Sequence, residues 1–278
     1  LIILAARPSV GKTAFALNIA LGAASHEVKP TPVGLFSLEM SKRELVERLA
    51  ANASNLNHKN IVSGNLQDWE LERLDKAKNA LKKLPIYIDD TFHLNVLEIR
   101  AKARKMKMKH NVGLIIIDYL QLLDGDGTRN VIREQEISKI SRGLKGLAKD
   151  LDIPVIALSQ MSRAVEGRID NVPRLSDLRE SGAIEQDADD VYFLYANSKE
   201  ILKREPHRSK ERHLKRAKAR GGMLADLVYD FDGEHQRFEN EDLTIEEAHF
   251  VPIDPPAATF KQINKAGLAQ DTEDELPF

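Results

Sequence analysis

Residues 1–13 read LIILAARPSVGKT, and this stretch restricts the fold more than any other in the chain. Four apolar residues form a short buried strand, a loop of small residues follows, and Gly11-Lys12-Thr13 opens the helical run AFALNIALGAA. Strand, loop and helix in that order are the context a phosphate-binding loop requires. Backbone N–H groups of the loop, from Ser9 to Ala14, and of the first helical turn aim at phosphate oxygens. In that setting Lys12 reaches the β- and γ-phosphates, and the Thr13 hydroxyl holds Mg2+. The usual pattern has glycine where Ala6 stands here, so the context matches while one letter does not.

The alternation continues downstream. TPVGLFSLEM is an apolar run that ends in Glu39. SKRELVERLAANAS carries Leu45, Leu49 and Ala53 at helical spacing behind Ser41, a helix N-cap with Glu44 three residues on. A charged helix is expected over 70–84, a short strand over 85–90, a basic helix over 95–110 and an apolar strand over 113–123 whose LIIID run ends at Asp118. Helix 131–151, strand 153–160 (IPVIALSQ) and strand 191–195 (VYFLY) follow. Apolar strands alternating with helices predict an α/β fold with a mostly parallel sheet covered on both faces. Residues 224–231 alternate like one strand of an antiparallel hairpin. From Pro252 onward the chain reads as an acidic tail ending in DTEDELPF. The expected organisation is one domain over 1–251 and a tail over 252–278.

Bulk properties narrow the function. The formal net charge of −2 announces no nucleic-acid partner, so any basic surface must be local. The absence of cysteine excludes disulfides and thiolate metal sites and fits a reducing cytoplasm. No apolar run approaches the roughly 20 residues of a membrane helix, so no membrane partner is expected. The chain opens inside a strand, without an initiator Met, and a further N-terminal part is expected to precede it.

Nucleotide hydrolysis needs a carboxylate near Mg2+, a group that positions water, and positive charge on the transferring phosphate. Asp118 ends its apolar strand where such a carboxylate sits, at the carboxyl edge of a parallel sheet. Glu39 would face the γ-phosphate and polarise water if its strand neighbours the first one; read alone, it fits a surface glutamate equally well. Gln160, at the end of IPVIALSQ, could touch the γ-phosphate, or be a solvated amide. The histidines are scattered, and no metal cluster or Ser–His–Asp arrangement is readable from spacing.

These motifs converge. ARPSVGKTAFALNIA, FSLEMSKRELVERL, IDYLQLL, REQEISKISRGLKGLAKDL, IPVIALSQMSRAVEGR and LSDLRESGAIEQDADDV together resemble the C-terminal motor domain of replicative DNA helicases of the DnaB type, over residues 1 to about 240. That family accepts alanine at the Ala6 position. The resemblance implies a RecA-like P-loop NTPase core with a C-terminal β-hairpin region, assembled as a homo-hexameric ring around single-stranded DNA with ATP and Mg2+ between subunits. By the same resemblance, Ser9, Gly11, Lys12, Thr13 and Ala14 form the phosphate loop, Glu39 is the catalytic glutamate, and Arg48 lies near the nucleotide. Asp118 holds the magnesium and Gln160 senses the γ-phosphate. Arg179, Glu180 and Gly182 hold the DNA backbone. Lys218 and Arg220 match a Lys-x-Arg pair supplied by the neighbouring subunit. Here the sequence departs from the family: the approach to that pair is ERHLKRAKAR and not strongly apolar, Gly221 replaces an asparagine, and Met223 a proline.

The resemblance implies a cytoplasmic, fork-associated helicase of family polarity 5′ to 3′, working with forked DNA, a primase and a helicase loader. The alternatives are a recombinase-like DNA-dependent ATPase, or a DNA-binding fragment without motor activity. The basic segment 203–217 is expected to be a flexible solvated loop, with DNA contact at the ring face as the alternative. The tail is read as disordered, or as a partner-recruiting acidic tip.

Overall fold

A computed structural model of the chain describes residues 1–123, 133–168, 170–178 and 182–239. The chain divides into two compact units, Leu1–Glu241 and Asp242–Phe278. The second lies outside the described residues, as does the tail read over 252–278.

The first unit is a nine-stranded sheet flanked by helices. In chain order the strands are β1 (Ile2–Ala6), β2 (Val33–Ser37), β3 (Ile86–Asp89), β4 (Leu114–Asp118), β5 (Val155–Gln160), β6 (Asp190–Ala196), β7 (Glu211–Ala219), β8 (Ala225–Asp232) and β9 (Arg237–Glu239). The helices are α1 (Lys12–Ser25), α2 (Lys42–Ser54), α3 (His58–Ser63), α4 (Asp68–Leu81), α5 (Val96–His110), α6 (Arg133–Leu151), α7 (Gly182–Asp187) and α8 (Lys199–Arg204). The spatial order of strands is β3-β2-β4-β5-β1-β6-β7-β8-β9. All pairs from β3 to β6 are parallel, and those from β6 to β9 are antiparallel.

Period-two alternation explains why the parallel strands are apolar throughout. Ile115 and Ile117 of β4 join the core layer that also contains Ile99 of α5 and Leu144 of α6. Leu114 and Ile116 join the opposite layer, with Leu17 of α1 and Leu45 of α2. A strand buried on both faces has no position left for a polar side chain until its end. In β4 that end is Asp118. Local chemistry sets the helix starts: Ser41 and Glu44 form a capping box on α2, and Asn95 and Glu98 form another on α5. The last turn of α5 carries Lys107, Lys109 and His110, which suits the negative end of a helix.

Three expectations need correcting. The apolar run 113–123 does not stay extended: β4 stops at Asp118, and a short 3₁₀ turn covers Leu120–Leu122. The strand before Glu39 does not neighbour the first; β4 and β5 lie between β2 and β1. Finally, the segment 203–217 is not a solvated loop. It runs through the end of α8 and a 3₁₀ turn at Pro206–Lys210 into β7. Several of its cations are held by partners. Arg208 pairs with Glu211 at 2.7 Å and Glu205 at 3.1 Å, and Arg216 pairs with Asp190. Among the described residues, no helix is long and apolar enough to cross a membrane.

Candidate active site

The loop between β1 and α1 is bent by two residues of positive φ, Ser9 at 66° and Gly11 at 107°. Left-handed residues in such a loop turn successive N–H groups inward to form an anion-binding concavity. Gly11 is required twice over. Its φ disfavours any side chain, and a Cβ there would lie 3.1 Å from the Phe238 ring and 3.2 Å from the Phe231 ring.

Immediately beyond it, Thr13 Oγ1 donates to Asp118 Oδ2 at 2.6 Å, and Lys12 Nζ lies 3.6 Å from Asp118 Oδ1. Lys12 also sits 4.3 Å above the centre of the Tyr119 ring. Burial pushes the Lys12 ammonium below its ordinary pKa, against the opposing pull of the Asp118 and Glu39 carboxylates. Asp118 is 2% exposed, and its Oδ1 accepts no hydrogen bond. A buried carboxylate oxygen without a donor, beside a threonine hydroxyl, is a hard-oxygen environment that fits Mg2+. Among the described residues no group of three or more His, Asp or Glu forms an all-protein metal cage. Mg2+ does not need one, since it is commonly held by one or two carboxylates together with substrate phosphates.

These groups open onto a cavity of about 340 Å3 lined by Ser9, Gly11, Lys12, Thr13, Ala14, Glu39, Arg48 and Gln160, among others. The structure thus brings together residues from four separate parts of the chain. Glu39 arrives although β2 is not adjacent to β1. The segment after β2 runs along Asp118, with the Leu38 N–H donating to the Asp118 carbonyl at 2.8 Å. Gln160 ends β5, one strand over from β4, and its N–H donates to Gln121 Oε1 at 3.2 Å. Arg48 reaches in from α2, its Nη1 donating to Gln236 Oε1 at 2.7 Å, while its buried Nε has no hydrogen-bond partner.

Several participants were not anticipated. Arg7 and Tyr119 line the cavity. Their only sequence signal is position, one inside the loop and one directly after Asp118. Arg7 is already engaged, donating to Glu166 Oε1 at 2.7 Å and to the Met161 carbonyl at 2.9 Å. The turn between β8 and β9 also docks behind the cavity. The Gln236 carbonyl accepts from Asn18 at 2.9 Å and from Asn52 at 3.0 Å, and Phe238 packs edge-on against Phe15. Nothing in sequence spacing links residues so far apart along the chain.

Two sets of expected site residues are not in the cavity. Arg179 and Glu180 lie outside the described residues; Gly182, beside them in sequence, is the first residue of α7. Lys218 and Arg220 lie at the opposite end of the sheet. Because β7 runs antiparallel to β6, its last residue Ala219 pairs with Asp190, the residue that pairs with Ile2 at the start of β1. The phosphate loop follows the other end of β1.

Comparison with known proteins agrees with this geometry. The family profile described as DnaB-like helicase C terminal domain matches residues 1–240. The replicative DNA helicase DnaB of Geobacillus stearothermophilus is 45% identical over 252 residues, covering 91% of this chain and 55% of that protein. The protein of the same name from Rickettsia typhi is 43% identical over 265 residues, covering 86% and 53%. The chain therefore spans about half the length of these curated relatives. Among solved structures, a DnaB-like replicative helicase described with its interactions with primase superimposes with a TM-score of 0.80 at 39% identity. That match covers 87% of this chain and 57% of the other.

Proposed function

Starting from this chain's membership of the DnaB-like helicase C-terminal domain family, we propose that it is the motor of an ATP-driven replicative DNA helicase. It translocates on single-stranded DNA as a homo-hexameric ring and unwinds the duplex at a fork. Lys12 and the loop N–H groups bind the β- and γ-phosphates, Glu39 polarises the attacking water, and Gln160 senses the γ-phosphate. Thr13 and Asp118 would hold Mg2+, which neutralises charge on the phosphates when bound. Arg179, Glu180 and Gly182 hold the DNA backbone in a sequence-blind manner, as a motor that passes every base requires. A primase and a helicase loader are its expected partners, and the bacterial cytoplasm at the fork its place of action.

The observation that carries this reading is the separation of Lys218 and Arg220 from the cavity. The cavity's own cations have partners already: Lys12 faces Asp118, Arg7 is held by Glu166, and Arg48 is held by Gln236. Lys218 and Arg220 lie too far along the sheet to reach this cavity, so they would add positive charge to a transferring phosphate only in a second copy of the chain. The test is the mass of the assembly with ATP, combined with hydrolysis on a forked substrate bearing a 5′ tail. A hexamer that releases the strand while consuming ATP is the expected result. A monomer with full hydrolysis would overturn the reading, and strand pairing without release would assign the chain to the recombinase class instead.

A further inference from the structure

Lys218 and Arg220 do not dangle at the end of β7. The Lys218 ammonium donates to the carbonyls of Ala188 at 2.8 Å, Gln186 at 3.4 Å and Glu185, so it caps the C-terminal end of α7. A cation at that end meets both free carbonyl groups and the negative pole of the helix. Arg220 is held to the same element. Its backbone N–H donates to the Asp189 carbonyl at 2.8 Å, its Nη1 to Asp189 Oδ1 at 3.1 Å, and its Nη2 to the Gln186 carbonyl at 3.2 Å.

The strand is shaped for this. The β6–β7 ladder shifts between Val191 and Tyr192, passing from Lys218 to Arg216 and leaving Ala217 unpaired. A bulge re-aims the side chains that follow it. Before the bulge, Leu214 belongs to the core layer of α1 and α2; beyond it, Lys218 reaches α7 on the other side of the sheet.

Asp189 is itself anchored. Its other carboxylate oxygen accepts from Lys145 of α6. Helix α7 is fixed to the core by Ile184, with no exposed surface. Arg220 nevertheless stays 57% exposed and keeps N–H donors free for phosphate oxygens.

We propose that Asp189 and the C-terminal end of α7, to which Lys218 pins the end of β7, position Arg220 for the phosphate of a neighbouring subunit's nucleotide. This inference rests on the trans-acting role proposed above. Asp189 is a positioning residue: it touches the arginine and not the nucleotide.

The test is a double-mutant cycle on the assembled full chain, measuring ATP hydrolysis with and without single-stranded DNA. Asp189→Ala is expected to lower the DNA-stimulated kcat on the order of 10- to 100-fold, the cost of a misplaced group, with KM for ATP little changed. In an Arg220→Ala background the second change should cost nothing further. Lys145→Ala loosens Asp189 from α6 without touching Arg220, so it should give a smaller loss that likewise vanishes in the Arg220→Ala background. If Asp189→Ala also adds to Arg220→Ala, or leaves the rates unchanged, the positioning role falls while the trans role stands. If Arg220→Ala itself leaves hydrolysis unchanged, the reading beneath the proposal fails.

Discussion

The two ends of the sheet are built on opposite plans. At the carboxyl end, Thr13, Lys12 and Asp118 are buried against one another, and the cavity walls come from β1, β2, β5 and α2 of the same chain. At the amino end, Lys218 and Arg220 face outward and are gripped by backbone carbonyls and Asp189. The five residues of β1 separate the two ends by about 16 Å, farther than any side chain can reach. A single chain can therefore form the phosphate cavity but cannot bring its own hairpin cations to it. Under the proposed trans role, this separation of charge from cavity is what would make hydrolysis depend on assembly.

The contrast can be attacked most strongly at the amino end. Mixing Arg220→Ala subunits into wild-type rings should depress hydrolysis at the neighbouring sites by as much as 10³–10⁵-fold each, so total activity falls faster than the mutant fraction. Loss in simple proportion would mean that the residue serves its own chain. At the carboxyl end, Lys12→Ala should lower hydrolysis on the order of 10²–10³-fold, as for removal of one fixed electrostatic donor. In mixed rings this loss should follow the mutant fraction, since the defect stays in its own cavity. Gly11→Ala sharpens the same end: forcing a side chain into positive φ against Phe231 and Phe238 should cost about 1–3 kcal/mol, read as a lower Tm and weaker nucleotide binding.

The smallest expected effect concerns pH. Burial opposes ionisation of Asp189, yet the hydrogen bond from Lys145 holds its carboxyl below its ordinary value. A carboxyl whose folded pKa is depressed stabilises the fold above its ordinary value and loses that stabilisation as pH falls toward the folded one. Acid unfolding followed by circular dichroism should therefore show about 1 kcal/mol lost as pH falls below 4, a small figure because Asp189 is part exposed and water screens its pairs. Asp189→Asn should remove that portion of the curve, and an unchanged curve would show that the pairs contribute nothing.

Local chemistry made much of this legible in the sequence. Ser41 and Glu44 announce the start of α2, LIIID announces a strand buried on both faces with its carboxylate at the end, and GKT after a strand announces the phosphate loop. Each is a short-range pattern whose physics acts within a few residues. Gln236 behind Arg48, Glu39 beside Asp118 across a strand order that spacing does not reveal, and the order within 203–217 were not legible in that way. In each case the deciding partner is distant in sequence. A run such as ERHLKRAKAR reads as solvated until Asp190, the Val10 carbonyl and the end of α7 are set beside it.

What the sequence determined by itself was the set of candidate reacting groups and the alternation of strand and helix that carries them. Hydrophobic period and backbone constraint are properties of neighbouring residues. The tertiary structure alone decided which groups share a cavity and which do not. Strand order placed Glu39 with Lys12, and the reversal of β7 carried Lys218 and Arg220 to the far end of the sheet. Direction and order of strands are set by how the apolar faces pack, a choice made by the whole core at once and not by any one segment.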